Sequence, residues 1–235
     1  MAALHLTLAD LILLAALVVV APLYSCYAGV RIARGRMPSR IAAYARTIVS
    51  WWLIAATMLF VWGHFGRPFA MLGLRIPFDA RWIAGAVLCV LMLAYINGQA
   101  RAVKRLSPER IERVRASLGR TAAILPRTVA EYRWFLALAV TAGTCEELLY
   151  RGYFIATMSP WITLPGALVA GAVVFGIGHA YQGALGVVKT AAVGLIFGIV
   201  YVATGSLLWP ILLHALLDIQ GGTLAYRVLA SARAG

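Results

Sequence analysis

The stretch Trp134–Met158, WFLALAVTAGTCEELLYRGYFIATM, is apolar on both sides of Glu146, Glu147 and Arg151. About 20 consecutive, predominantly apolar residues carry an α-helix across the hydrocarbon of a bilayer, so this stretch reads as a transmembrane helix with three ionisable groups at membrane depth. Each such group costs at least ~2.5 kcal/mol to insert, a cost that chains seldom carry without a use for the group. From Trp134 to the C-terminus the only other acidic residue is Asp218. Function is to be sought in this cluster.

Outward from it, the chain keeps the same character. Over 235 residues, 63% are hydrophobic and only 12% charged, with a mean hydropathy of +0.87. A soluble domain carries about twice that charged fraction. The expected fold is all-α, a polytopic transmembrane helix bundle of about seven spans. These run near residues 8–30, 48–65, 82–100, 134–158, 162–180, 184–203 and 207–226. Gly66, Pro68, Gly73 and Pro77 interrupt the helix after the second span. The first run has no preceding Lys or Arg and no A-x-A cleavage site, and is expected to be a retained helix. Residues 1–133 then form a three-span N-terminal region, and residues 134–235 a four-span catalytic core. Gly194 and Gly198 allow close helix contact, and Trp161 and Trp209 suit the interfacial belt.

The net charge of +13 lies mainly between the spans, the pattern of cytoplasmic loops facing anionic lipid. A nucleic-acid partner is not expected. Arg31–Arg46 and Arg101–Arg133 place the N-terminus outside and the C-terminus in the cytoplasm, in agreement with Arg227 and Arg233, while three arginines between Arg67 and Arg81 are a mild violation. In the loop before the fourth span, Ser107 and Pro108 start a helix that places Ile111, Val114 and Leu118 on one face. This is a basic amphipathic helix on the membrane surface or a solvated linker helix. Alanine- and arginine-rich usage, with only Lys104 and Lys189 as lysines, points to a GC-rich bacterial genome and so to the bacterial inner membrane.

Three polar pairs recur at helical spacing. Glu147 and Arg151 are i and i+4, which allows an ion pair, while Glu146, about 100° away around the helix, is free to face a cavity and act as general base. Phe175 and His179 are i and i+4, and so are His214 and Asp218, where a carboxylate one turn from an imidazole can fix its tautomer or share a metal. Each pair has a purely structural alternative as a polar bridge between helices. Cys26, Cys89 and Cys145 fall in apolar segments without CxxC spacing. They form no disulfide framework, and Cys145, although beside Glu146, has no local histidine to activate it. His5 and His64 lie near expected membrane edges and read as incidental.

These motifs resemble those of the CPBP family (CAAX proteases and bacteriocin-processing enzymes, also called Abi proteins). EELLYR matches its EExxxR, FGIGH its FxxxH and HALLD its HxxxN/D, in order and on separate helices, over about Trp134–Gln220. The resemblance implies an intramembrane endopeptidase related to the type II CAAX prenyl protease. Glu146 and His179 would activate a water, Glu147 and Arg151 would order the site, and His214 with its i+4 partner would hold the oxyanion. Members described with an oxyanion hole have Asn at the last position. An ionised Asp218 cannot donate there, so it is held neutral, orients His214 or joins a metal. No obligatory cofactor is expected. Zinc, if present, would sit on Glu146, His179 and His214.

The substrate expected from this resemblance is a membrane-embedded or lipidated peptide, and in bacteria a peptide precursor, a bacteriocin leader or a sorting tail serves as well as a prenylated protein. Two other classes remain: a proton-coupled transporter using Glu146, His179 and His214 as a relay, and a non-catalytic immunity or scaffold protein. The absence of an internal repeat weighs against the transporter.

Overall fold

The computed structural model describes residues 5–36, 39–103 and 107–230, and among these there is no strand. Lys104 and Arg233, used above for charge and composition, lie outside the described residues. Helix α1, Leu8–Ala33, contains a π-helical turn at Ala16–Val20. Helices α2 (Arg40–His64), α3 (Ala80–Val103) and the short α4 (Pro108–Ser117) follow. Helix α5 (Val129–Glu146) runs directly into a π-helical segment, Glu147–Phe154, and then into α6 (Ile155–Ile162). The chain ends in α7 (Leu164–Ile177), α8 (Ala184–Thr204) and α9 (Leu208–Ala230).

Helices α1, α2, α3 and α8 are each long and apolar enough to cross a membrane. Their outward side chains are large and apolar, with Phe60 72% and Val188 65% exposed, a surface that suits lipid and not water. The protein is a multi-pass membrane protein. The stretch read as one span over 162–180 holds a shorter helix. Thr163, at φ 65°, separates α6 from α7, and α7 has 14 residues, about 21 Å at 1.5 Å per residue. His179 therefore stands beyond the end of α7, followed by a 3₁₀ turn at Ala180–Gln182.

Helix starts follow local chemistry. Thr128 and Glu131 form a capping box at the head of α5, and Ser107 caps α4. Ile111 and Val114 of α4 are half-buried, and Arg115 donates to Glu112 at 2.6 Å and to the Val228 carbonyl at 3.2 Å, holding α4 against the end of α9. The main core joins the two halves of the chain: Leu13, Leu17, Met58, Trp62 and Leu72 pack against Leu148, Leu149, Tyr153 and Phe175. The small residues behave as their spacing predicts, with Gly194 against Ala172 and Gly198 against Leu168. Trp209 does not. It is 6% exposed and packs on Trp82 with ring centroids 4.8 Å apart, so it belongs to the core rather than the interfacial belt. Trp161, at 62% exposed, keeps an outward position.

The arginines of the loop after α2 are tied down. Arg67 makes two 2.7 Å hydrogen bonds to Asp10, Arg75 donates to the Gly205 carbonyl, and Arg81 pairs with Asp79. Asp10 is fully buried and also accepts from the Tyr153 hydroxyl at 3.0 Å, joining α1, the loop and the π-helical segment. Arg67→Ala strands that carboxylate, and breaking a buried pair costs about 3–5 kcal/mol. The expected result is a marked fall in the thermal unfolding midpoint of detergent-solubilised protein. An unchanged midpoint would remove Asp10 and Arg67 from the structural core.

Candidate active site

Glu146 and Glu147 stand at the junction where α5 becomes π-helical. The i→i+5 pattern widens the turn and is characteristic of functional positions in helices. Glu147 points into the protein and is fully buried. Its Oε1 accepts from Arg151 Nη1 at 2.8 Å and from His214 Nδ1 at 2.7 Å. Arg151, 3% exposed, also donates through Nη2 to the Gly194 carbonyl at 2.9 Å and lies 4.3 Å over the Phe175 ring. The ion pair expected from the sequence is present, and it extends to α7, α8 and α9.

Helices α5 and α9 must approach closely for Glu147 to reach His214. Gly143 allows it: a Cβ there would fall 2.8 Å from the Ala215 nitrogen, inside the contact distance of real atoms. The glycine is one turn before Glu147, and Ala215 follows His214, so this contact sets the register of the two polar residues.

Glu146 faces the other way, into a cavity of about 340 Å³ that His179, His214, Asp218, Phe175 and Phe197 also line. Its Oε2 is buried without a hydrogen-bond partner in the protein, 3.9 Å from His179 Nε2 and 4.0 Å from His214 Nε2. Each separation exceeds a hydrogen bond and suits one bridging water. His179 Nδ1 lies 2.8 Å from the Phe175 carbonyl. A carbonyl only accepts, so Nδ1 carries a hydrogen and Nε2 is the nitrogen presented to Glu146. His214 likewise commits Nδ1–H to Glu147 and turns Nε2 to the cavity.

Asp218 stands beside His214 as the i and i+4 spacing expects, at ion-pair rather than hydrogen-bond distance. It approaches His214 Nε2 no closer than 3.7 Å, and it is Glu147, from another helix, that hydrogen-bonds the imidazole. Tyr181, Gln182 and Lys189 also line the cavity. None carried a sequence signal, because each joins the site only through the turn after α7 or the face of α8. Cys145 packs in the apolar core and is not part of the cavity wall.

Zinc fits this arrangement poorly. Ligands about 2.1 Å from a tetrahedral zinc lie about 3.4 Å from one another, closer than the 3.9 and 4.0 Å here. Among the described residues no three His, Cys, Asp or Glu side chains converge to hold a metal ion.

The chemistry available is a carboxylate and an imidazole nitrogen facing one small gap, with a second imidazole held behind by a buried ion pair. A family model described as type II CAAX prenyl endopeptidase, Rce1-like, matches residues 128–220, the segment that contains Glu146, Glu147, Arg151, His179, His214 and Asp218. No curated protein and no solved structure matches the chain.

Proposed function

We propose that this chain, which belongs through residues 128–220 to the Rce1-like family of type II CAAX prenyl endopeptidases, hydrolyses a peptide bond of a membrane-anchored or lipidated substrate with a water activated by Glu146 and His179. The observation that carries the proposal is the buried, unpartnered Glu146 Oε2 facing two imidazole nitrogens across gaps of 3.9 and 4.0 Å. A water held there by Glu146 and His179 gives its proton to Glu146 as its oxygen bonds to the substrate carbonyl carbon. The carbonyl oxygen becomes an oxyanion, to which His214 Nε2, when protonated, donates. Collapse breaks the C–N bond, and Glu146 returns the proton to the departing amine. Glu147 and Arg151 touch none of these atoms; they orient His214 and hold the helices in place. Asp218 lines the same cavity, 3.7 Å from His214 Nε2.

The setting proposed for this chemistry is a bundle of about seven spans, the short α7 counted as one, three in residues 1–133 and four in residues 134–235, in the bacterial inner membrane. The N-terminus lies outside and the C-terminus in the cytoplasm, and α4 lies along the cytoplasmic lipid surface. The partners are the bilayer and the peptide, without nucleic acid. The step as proposed requires no obligatory zinc. The test is cleavage of lipidated and plain fluorogenic peptide pools by purified, detergent-solubilised protein, with and without a chelator. Cleavage that persists in chelator is expected. Complete loss with chelator, restored by zinc, would replace this mechanism with a metal-dependent one, and no cleavage of any pool would count against the protease.

A further inference from the structure

Helix α1 lies outside the segment that matches the family, yet it touches the turn that carries His179. Its buried residues fall in two sets: Asp10, Leu13, Leu14 and Leu17 before or within the π-helical turn, and Pro22, Ser25 and Gly29 after it. An uninterrupted α-helix would continue the first set at about positions 21, 24 and 28. The π turn at Ala16–Val20 inserts one residue and shifts the stripe to 22, 25 and 29. That phase shift aims Ser25 and Gly29 at the backbone that follows His179.

The contact is close and polar. The Tyr181 N–H donates to Ser25 Oγ at 3.2 Å, and Ser25 is 4% exposed. Gly29 is buried, and a Cβ there would stand 3.0 Å from Tyr181 Cα and 3.5 Å from the Ala180 carbonyl oxygen, so any side chain at 29 pushes the turn. On its other side the turn is bound to the histidine itself: the Gln182 N–H donates to the His179 carbonyl at 2.9 Å, and the His179 and Tyr181 rings lie 5.8 Å apart. His179, beyond the end of α7, is held from that helix by its N–H to the Gly176 carbonyl at 2.9 Å and by Nδ1 at the Phe175 carbonyl, and the turn after it supplies the support on the other side.

We infer that Ser25 and Gly29 are positioning residues, through which α1 holds the Ala180–Tyr181 backbone and thereby the His179 imidazole against Glu146. The inference rests on the role proposed above for His179. A displacement of about 1 Å in a catalytic group lowers a rate by up to about 100-fold. Gly29→Leu is therefore expected to lower kcat on a cleaved fluorogenic peptide by about that factor, with KM nearly unchanged and a shifted pH profile of kcat, while Gly29→Ala loses far less. Ser25→Ala, which removes only the hydroxyl, is expected to lower kcat with the thermal midpoint retained.

A folded Gly29→Leu protein with wild-type kcat and pH profile would overturn the inference. If Gly29→Leu does not fold, Ser25→Ala decides it, and an unchanged kcat there overturns it. A second readout separates this from failure of the protease reading: the rate at which diethyl pyrocarbonate modifies His179, followed by mass spectrometry against His214 in the same protein. That ratio is expected to change in Ser25→Ala and Gly29→Leu even if no peptide is cleaved. An unchanged ratio would show that α1 does not set the surroundings of His179.

Discussion

Glu146→Gln is expected to abolish peptide cleavage and leave the protein folded. Glutamine keeps the shape of the side chain and removes its capacity to take a proton from water. A positioned general base contributes about 10²–10⁴-fold, so kcat should fall by that factor with KM little changed. Stability should not suffer. Glu146 Oε2 has no hydrogen-bond partner in the protein to lose, and the variant removes a charge from a buried site. The measurement is kcat, KM and the thermal midpoint of wild type and variant in the same detergent. Wild-type turnover by Glu146→Gln would remove Glu146 as the base. His179→Ala should lose activity comparably. His214→Ala should lose activity and also some stability, because it takes one of two partners from Glu147 Oε1.

Arg151→Ala should act in the opposite way, first on stability. Its guanidinium is the cationic partner of a fully buried carboxylate and donates to the Gly194 carbonyl. Removing one member of a buried pair costs about 3–5 kcal/mol because the other charge remains in place, a large share of the total stability of a single domain. The expected result is poor expression and a strongly lowered thermal midpoint. Adding Glu147→Gln to Arg151→Ala removes the stranded charge and should recover part of the loss, so the two substitutions should be non-additive. Normal yield and midpoint for purified Arg151→Ala would refute the ion pair.

The sequence by itself determined the helical class, the membrane setting and which residues to watch. Those properties depend on composition and near-neighbour spacing: apolar runs long enough for a bilayer, and Glu147 with Arg151 one turn apart. Glu146, His179, His214 and Asp218 were each legible as costly polar groups in apolar helices. Their mutual arrangement was not. Spacing offered Asp218 as the partner of His214, and it lies 3.7 Å from Nε2, but the hydrogen-bond partner of the imidazole is Glu147 at 2.7 Å, 67 positions away. That choice is made by the approach of α5 and α9 at Gly143, which no local pattern expresses.

The same holds at the other end of the bundle. Asp10 and Arg67 are separated by 57 positions, and neither residue's neighbours predict the pair. The π-helical turns at Ala16–Val20 and Glu147–Phe154 arise where packing favours a one-residue shift of the buried face, and sequence periodicity assigns a regular helix to both. Trp209 looked interfacial by type and was buried by Trp82. The physical reason is common to all of these. Inserting a helix into lipid is governed by its own side chains, while pairing a buried charge, seating a ring or fixing an imidazole requires a neighbouring helix, whose identity only the packed tertiary structure decides.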